Sequence, residues 1–286
     1  MRPPDFAFRP SETLEDAIEF LNSEAGSVAL AGGQSLIPMM RFRLVRPSVV
    51  VDIGKIDGLD SIESCGDTLH IGALVTTSRV SQSDLVRSFS PLWAETATVI
   101  ADPLVRNLGT VGGNLAHADP LNDLPAALVA ARGRVVVEGA NGKRVIESDD
   151  LFVGPFETSL GRGELITEVR LPGGAAGSYE KMKRAAADYG VAGVAVQLTM
   201  DGAGRVTGAG IAVTGGEQVA TRAAEAEALL VGSDTDPSTI AHVASATAAT
   251  VRMPGDDRGS SRYKSGLVRV LARRAVQRAA GRRAGG

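Results

Sequence analysis

The stretch Ala31-Gly32-Gly33-Gln34-Ser35-Leu36-Ile37-Pro38-Met39-Met40 is the feature around which this chain is organised. It follows the apolar run Val28-Ala29-Leu30 and precedes a segment typical of a short helix, for which Ser35 is a suitable N-cap. Adjacent glycines let backbone N–H groups approach a ligand closely, and the free N–H groups of a helix start add positive charge at the same place. The pattern therefore predicts a cradle for a phosphate-bearing ligand, although Gly-Gly also occurs in ordinary structural turns.

A second glycine-rich passage, Arg106-Asn107-Leu108-Gly109-Thr110-Val111-Gly112-Gly113-Asn114-Leu115, lies further along the chain. It leads into Ala118-Asp119-Pro120, and Asp123 follows as a candidate cap for a helix over Leu124–Ala131. Neither passage has the G-x-G-x-x-G pattern and downstream acid of a Rossmann fold, and the G-x-x-x-x-G-K-[ST] loop of nucleotide triphosphatases is absent. The residues alone therefore predict two glycine turns that hold an anionic cofactor.

The composition is typical of a globular protein of 286 residues, with 44% hydrophobic and 22% charged residues, which is long enough for two domains. The net charge of −3 gives no field that favours nucleic acid, so no nucleic-acid partner is expected. The basic tail from Arg273 to Arg283 is predicted to be the solvated face of a C-terminal helix. No apolar run approaches the length of a membrane span and no apolar leader follows Met1, so a cytoplasmic protein is expected.

Cysteine and histidine usage bears on metal chemistry. Cys65 is the only cysteine, so the chain cannot form an internal disulfide and supplies no ligand set for an iron–sulfur or zinc cluster. His70, His117 and His242 lack the spacing of metal ligands, so no metal site is expected in this chain.

The order of patterns along the chain predicts an α+β protein whose first third is a small βαβ-like layer. In that layer a helix capped by Thr13 precedes a strand over Val28–Ala31, and the short helix from Ser35 to Pro47 precedes a buried strand over Val49–Ile53. The middle third is predicted to contain a helix capped by Ser78, a helix with Trp93 in the core, and several strands. These strands are Leu69–Ala73, Glu164–Leu171, and the hairpin of Arg134–Glu138 and Arg144–Ile146 around Asn141-Gly142.

The last third is predicted to be a small sheet with a helical bundle, reached through a glycine-rich linker at Pro172–Gly177. Its strands are Val191–Met200 and Val206–Thr214, and its helices are Arg222–Leu230, Thr239–Val251 and Ser261–Ala279. The expected domain boundaries are 1–56 and 57–172 for two N-terminal subdomains and 178–286 for the C-terminal domain.

The two glycine passages also carry a family resemblance. Ala31-Gly32-Gly33-Gln34-Ser35-Leu36 with Pro38-Met39 resembles the first flavin motif of the molybdenum hydroxylase family, and Thr110-Val111-Gly112-Gly113-Asn114-Leu115 with Ala118-Asp119-Pro120 resembles the second. The chain is similar over nearly its whole length to FAD-binding medium subunits of the carbon monoxide dehydrogenase type, a module related to the FAD domain of xanthine dehydrogenases. The implied fold is a two-subdomain FAD-binding domain, like that of vanillyl-alcohol oxidase and p-cresol methylhydroxylase, followed by a sheet-plus-helical-bundle domain.

The resemblance implies roles for particular residues. The turn Gly32–Leu36 would bind the FAD pyrophosphate through backbone N–H groups and the Ser35 hydroxyl, and the turn Thr110–Asn114 would hold the other side of the same phosphates. Asp123 would bind sugar or ribityl hydroxyls, with helix capping as an alternative role that could coexist with the first. His117, inside the second motif, is interpreted as a backbone-supporting or pocket-edge residue rather than as a base. A third signature, Glu180-Lys181-Met182-Lys183-Arg184 with Asp188-Tyr189, would place Lys181 near the flavin and Tyr189 over one ring face. The implied cofactor-binding residues are Ala31, Gly32, Gly33, Gln34, Ser35, Leu36, Thr110, Gly112, Gly113, Asn114, Asp123, Ile166, Lys181 and Tyr189, with no catalytic residue on this chain.

The implied function is that of a flavin electron-transfer subunit of an oxidoreductase. A large molybdenum-pterin subunit would oxidise the substrate, and a small subunit with two [2Fe-2S] clusters would relay the electrons to FAD on this chain, in a dimer of heterotrimers. FAD would pass them to an acceptor such as a quinone or NAD. Two alternatives stay open at this point, namely a self-sufficient flavin oxidoreductase of the same fold and a binding module without catalytic function.

Overall fold

The computed structural model describes residues 2–173 and 176–282, so Gly174 and Ala175 of the predicted linker and Arg283 of the predicted basic tail lie outside the described residues. The strands, in chain order, are β1 Ala7–Pro10, β2 Ser27–Leu30, β3 Val49–Asp52, β4 Ile62–Cys65, β5 Thr68–Gly72, β6 Arg134–Gly139, β7 Gly142–Glu147, β8 Phe152–Gly154, β9 Glu157–Thr158, β10 Leu165–Pro172, β11 Ala176–Lys183, β12 Gly190–Met200, β13 Val206–Thr214 and β14 Thr221–Arg222. The helices are α1 Leu14–Ser23, α2 Leu36–Arg41, α3 Thr77–Gln82, α4 Asp84–Phe89, α5 Pro91–Thr98, α6 Pro103–Leu108, α7 Val111–His117, α8 Leu124–Ala130, α9 Ser148–Leu151, α10 Ala224–Leu230, α11 Pro237–Thr250 and α12 Ser261–Gly281. In the part of the chain so described, no helix is both long enough and apolar enough to cross a bilayer.

The N-terminal sheet is parallel, with the strand order β1-β3-β2. Val49 on β3 pairs with Ala7 on one side and with Ser27 on the other. The central strand is buried at Val49, Val50 and Val51, as its continuous β-branched run predicts for a strand covered on both faces. The predicted βαβ-like layer is therefore confirmed, and β1 is an additional strand that the sequence patterns did not indicate.

The second sheet is antiparallel and has the order β4-β5-β10-β6-β7. The predicted hairpin is confirmed, because β6 and β7 pair up to Gly139 and Gly142, which leaves two residues in the loop. Helices α3, α4, α5, α7 and α8 share a core with this sheet, and Trp93 is fully buried in that core, as predicted. The prediction of one helix capped by Ser78 is wrong. Thr76 caps α3 and Ser83 caps α4, each accepting a backbone N–H three residues on, so the segment is two short helices.

The third sheet is antiparallel, with the order β11-β12-β13-β14, and it packs against α10, α11 and α12. The predicted β12–β13 hairpin and the three helices are confirmed. The linker predicted at Pro172–Gly177 is too long, because Pro172 ends β10 and Ala176 begins β11. The predicted solvated face of α12 is confirmed at Arg273 and Arg274, which are exposed. The boundaries proposed for the domains, 1–56, 57–172 and 178–286, stay a prediction.

Candidate cofactor site

A cavity of about 380 Å³ lies where the N-terminal sheet, the second sheet and strand β11 meet. This volume is within the range of small-molecule and cofactor sites. All fourteen residues expected to bind a cofactor line it, namely Ala31, Gly32, Gly33, Gln34, Ser35, Leu36, Thr110, Gly112, Gly113, Asn114, Asp123, Ile166, Lys181 and Tyr189. The fold therefore brings together residues that are up to about 160 positions apart in the chain.

The first glycine segment turns the chain from β2 into α2. Gly33 has a φ of +72°, a left-handed conformation that glycine adopts without strain, and its carbonyl accepts the Ile37 N–H at 3.1 Å. The Gln34 side-chain amide donates to the Gly32 carbonyl at 3.1 Å and so braces the turn. Ser35 occupies the N-cap position, but its side chain makes no capping hydrogen bond, contrary to the expectation for a capping serine. Its hydroxyl and the N–H groups that start α2 can therefore serve a ligand.

The two glycine segments touch each other directly. A Cβ placed on Gly32 would lie 1.8 Å from the Leu108 carbonyl oxygen, at the end of α6. No side chain can be accommodated at that separation, so Gly32 is required by the packing of the two segments as well as by any ligand.

The second glycine segment is not the predicted turn Thr110–Asn114 but the first part of helix α7. Thr110 is its N-cap, and the Thr110 hydroxyl accepts the Gly113 N–H at 3.2 Å. The N–H groups of Val111 and Gly112 donate to the Val75 and Ala73 carbonyls, and the Asn114 N–H donates to the Thr110 carbonyl. This segment consequently offers a ligand the proton of the Thr110 hydroxyl and a close backbone surface, rather than a row of free N–H groups.

Asn114 provides a direct test of whether a polar cofactor fits the cavity. Its Oδ1 atom is buried and has no hydrogen-bond partner among the described residues, although the residue lines the cavity. Buried polar atoms in folded proteins are nearly always hydrogen-bonded, so this oxygen indicates a place for a ligand donor such as a hydroxyl or N–H group. A cofactor that carries phosphates and several hydroxyls, as FAD does, fits this wall together with the free Ser35 hydroxyl.

The cavity is also lined by a buried ion pair between Asp123 and Lys181. The Lys181 ammonium donates to Asp123 Oδ2 at 2.7 Å, and each side chain is only 4% exposed. Tyr179 donates its hydroxyl to the second carboxylate oxygen, Oδ1, at 2.6 Å. The alternative role of Asp123 as a side-chain cap is wrong, because the residue precedes α8 but makes no capping hydrogen bond. The carboxylate instead accepts hydrogen bonds from two side chains of strand β11.

Burial governs the electrostatics of this cluster. It raises the pKa of the Asp123 carboxyl, while the Lys181 ammonium and the Tyr179 hydroxyl act in the opposite direction. Burial and the neighbouring Asp123 charge raise the pKa of Tyr179 well above its usual value, so this phenol remains a hydrogen-bond donor at neutral pH.

Tyr189 stands at the mouth of the cavity and is 45% exposed. The guanidinium of Arg258 lies 5.9 Å from the centre of its ring, a cation–π geometry that ties the loop before β12 to the loop before α12. His117 lies on the cavity wall with its ring 5.3 Å from that of Phe156, and burial lowers the pKa of its imidazole. Burial therefore favours the neutral imidazole, and the position of His117 on the cavity wall is consistent with a pocket-edge residue.

Tyr179 is the important residue that the sequence interpretation missed. It lies two positions before Lys181, and residues two apart in a strand point to the same side. The sequence patterns predict no strand over the third signature, whereas in the structure its residues 180–183 belong to β11, which also contains Tyr179. An alternation of two applied from Lys181 would have found it.

Comparison with known proteins gives a consistent result. The family described as "FAD binding domain in molybdopterin dehydrogenase" matches residues 5–174, and the "CO dehydrogenase flavoprotein C-terminal domain" matches residues 177–279. The nicotine 6-hydroxylase medium subunit of Paenarthrobacter nicotinovorans is 39% identical over 99% of this chain and 100% of its own length. The carbon monoxide dehydrogenase medium chain of Hydrogenophaga pseudoflava is 36% identical over 98% of each chain. The structure of reconstituted CO dehydrogenase from Oligotropha carboxidovorans contains a chain that superposes with a TM-score of 0.95 at 35% identity, over 99% of this chain and 100% of that one.

Proposed function

Since the chain belongs to the FAD-binding medium subunits of molybdenum hydroxylases, we propose that it passes electrons from [2Fe-2S] clusters on a partner subunit to an external acceptor. FAD is the cofactor of this family, and the chain is an oxidoreductase subunit. FAD supplies the redox chemistry when bound, because it accepts and releases electrons. The residues of this chain bind it, orient it and set the charge around it.

The observation that carries the proposal is that two chemically different groups of residues line one cavity. The Gly33 turn, with the Ser35 hydroxyl and the start of α2, suits a pyrophosphate. The buried Asp123–Lys181 pair suits the hydroxyl groups and the ring system of a flavin nucleotide. We assign the pyrophosphate to the Gly32–Leu36 turn with Thr110 opposite.

We assign the remaining contacts on the same basis. Ile166, buried on β10, would contact the adenine or flavin end, and Asp123 would accept hydrogen bonds from cofactor hydroxyls. Tyr189 would cover one face of the isoalloxazine ring, because offset stacking of aromatic rings is favourable.

The carboxylates that line the cavity support electron relay rather than acid–base chemistry on an organic substrate. Asp123 is paired with Lys181, Glu164 with Arg144 at 2.6 Å, and Asp188 with Arg184 at 3.5 Å. Each of these acids is paired with a cation, so none of the three is an unpaired carboxyl placed to act as a general acid. A self-sufficient flavin oxidoreductase would need such a group beside the ring.

The proposed partners follow from the related complexes, in which chains of this kind are named medium subunits or medium chains. We propose a large molybdenum-pterin subunit, a small [2Fe-2S] subunit, assembly as a dimer of heterotrimers, and a quinone or NAD as acceptor. Leu44 and Leu104, which are 74% and 78% exposed near the two glycine segments, support a subunit contact beside the cavity. A cytoplasmic location stays a prediction.

The experiment compares the assembled complex with and without FAD. Substrate should still bleach the [2Fe-2S] absorbance of the FAD-free complex, whereas reduction of the acceptor should stop and return when FAD is added. The isolated FAD-loaded chain should show little turnover with substrate alone. Substantial turnover by this chain without partners, or acceptor reduction at full rate by the FAD-free complex, would refute the proposal.

A further inference from the structure

Tyr179 is buried and does not line the cavity, yet it contacts Asp123, which does. Its side chain is packed in the core shared with Trp93, and its hydroxyl donates to Asp123 Oδ1 at 2.6 Å. A buried hydrogen bond to a carboxylate is a strong one, since both groups have left water.

The fold makes room for that hydroxyl. Gly193 on β12 pairs directly with Lys181 on β11, and a Cβ placed on Gly193 would lie 2.2 Å from the Tyr179 hydroxyl oxygen. Glycine in the interior of a central strand costs stability, so its position here indicates close approach by another group. That group is the Tyr179 hydroxyl.

The backbone of Tyr179 is fixed as well. Its N–H donates to Glu95 Oε2 at 2.9 Å, and Glu95 forms ion pairs with Arg278 and Arg282 at the end of α12. The residue is therefore held by its main chain on one side of β11 and by its hydroxyl on the other.

The fixed position of Tyr179 affects the ion pair between Asp123 and Lys181. Tyr179 occupies one carboxylate oxygen of Asp123 and Lys181 occupies the other, while the Lys181 ammonium has a further contact with the Val99 carbonyl at 3.4 Å. We propose that Tyr179 is a positioning residue of the FAD site, which fixes the Asp123 carboxylate so that the Lys181 charge beside the cofactor stays compensated. This inference rests on the proposed function.

Removal of the Tyr179 hydroxyl would change the protonation of Asp123 and, through it, the potential of the cofactor. Without the Tyr179 hydroxyl, the buried Asp123 carboxylate loses a hydrogen bond to its charged form and takes up a proton at higher pH. The other charged or titratable groups that act on this cluster are Lys183, which favours the carboxylate, and Tyr189, whose pKa the Asp123 charge helps to raise. A protonated Asp123 leaves the Lys181 ammonium uncompensated, and this favours the more negatively charged, reduced form of the cofactor.

The test is the midpoint potential of FAD bound to the full chain, measured against pH for wild type and for Tyr179→Phe. We expect the substitution to change the ratio of affinities for reduced and oxidised FAD about tenfold, which is an upward shift of about 30 mV for two electrons. The inflection that reports Asp123 should move to higher pH. Tyr263→Phe is the matched control, because it removes the same hydroxyl from an exposed tyrosine on α12 and should leave the potential unchanged.

A double-mutant cycle with Asp123→Asn separates positioning from a general structural effect. Asp123→Asn alone should raise the potential at least as much as Tyr179→Phe, and in its background the tyrosine substitution should add no further shift. A potential and pH profile unchanged by Tyr179→Phe would overturn the inference, as would an equal shift with and without Asp123.

Should Tyr179→Phe fail to fold, Gly193→Ala displaces the same hydroxyl with the tyrosine retained and must give the same upward shift. An unaltered potential in that variant would equally overturn the inference. Acceptor reduction by the wild-type complex is a separate measurement, so the proposed function and the role of Tyr179 can fail independently.

Discussion

Replacing Lys181 by methionine tests the electrostatics of the cavity most directly. Methionine retains the length and the unbranched stem of lysine and removes only the ammonium, so it deletes the partner of Asp123 without opening a large cavity. Asp123 would then be a buried carboxyl with Tyr179 as its remaining hydrogen-bond donor. Breaking a buried pair in this way typically costs about 3–5 kcal/mol.

The carboxyl can limit that cost by taking up a proton. Protonating a group with an unfolded pKa of about 3.9 at pH 7 costs about 4 kcal/mol, at about 1.4 kcal/mol for each pH unit, and this is the upper limit of the electrostatic penalty. The pKa of Asp123 in the folded variant is raised above its unfolded value. The free energy of unfolding therefore carries no electrostatic penalty below about pH 4, and the variant loses stability as the pH rises through the folded pKa. The deficit relative to wild type should therefore be largest at pH 7 and fall to about 1.5 kcal/mol at pH 5.

The assay is urea unfolding of the FAD-free chain at pH 5, 6 and 7. Lys143→Met, on the exposed strand β7, removes a lysine of the same kind from a solvated position and should change stability by less than about 0.5 kcal/mol. Asp123→Asn combined with Lys181→Met should recover most of the lost stability, because no buried charge then remains. An equal deficit at pH 5 and pH 7, or a double variant as unstable as Lys181→Met alone, would show that lost packing rather than charge is responsible.

Three further predictions concern Ser35 and Gly33 in the first glycine segment and the hydrogen-bond network around Glu227. Ser35→Ala should weaken FAD binding at least about tenfold in a fluorescence titration while leaving the urea midpoint unchanged, because the hydroxyl makes no capping bond; an equal loss of stability would contradict this. Gly33→Val should abolish FAD retention, whereas Gly142→Val, at a similarly positive φ on the β6–β7 hairpin tip, should strain the backbone and retain FAD. Glu227→Gln should cost about 2 kcal/mol in urea unfolding, because this buried carboxylate accepts from the Ile211 N–H and two arginines; a loss below about 0.5 kcal/mol would refute it.

The sequence alone predicts those helices and strands whose conformation depends on residues within or next to the element itself. The β6–β7 hairpin follows from Asn141-Gly142, the buried strand β3 from its β-branched run, and the cap of α1 from Thr13, whose hydroxyl accepts the Asp16 N–H at 3.1 Å. In each case the interaction that fixes the element spans only a few residues, or is the burial of an apolar run.

Elements that are fixed by contacts with distant residues could not be predicted in this way. Ser78 and Thr76 are equally acceptable caps by residue type. The start of α3 is fixed by distant contacts, namely the bridge from Thr76 to Thr110 and the hydrogen bond from the Thr77 N–H to the Gly109 carbonyl. Strand β11 carries charged residues at Glu180, Lys181 and Lys183, which obscures its alternation. Glu180 pairs with Arg278 and Lys181 with Asp123, both far along the chain, whereas the Lys183 ammonium donates to the nearby Ala186 carbonyl. The segment itself does not reveal the two distant partners.

The glycines of the two motifs illustrate the same limit at the site. Gly32 lies against the Leu108 carbonyl and Gly112 lies against Ala73, so both are also required by packing between protein segments, while a Cβ on Gly113 would meet the Thr110 hydroxyl of its own segment. A pattern of glycines consequently identifies where two pieces of backbone meet, and it does not by itself separate a ligand contact from a packing contact. Gly33 is different, because a Cβ there would meet only flexible side-chain atoms, and its positive φ sets the direction of the N–H groups that follow. Loss of FAD on substitution therefore carries information about the cofactor at Gly33 that it would not carry at Gly32.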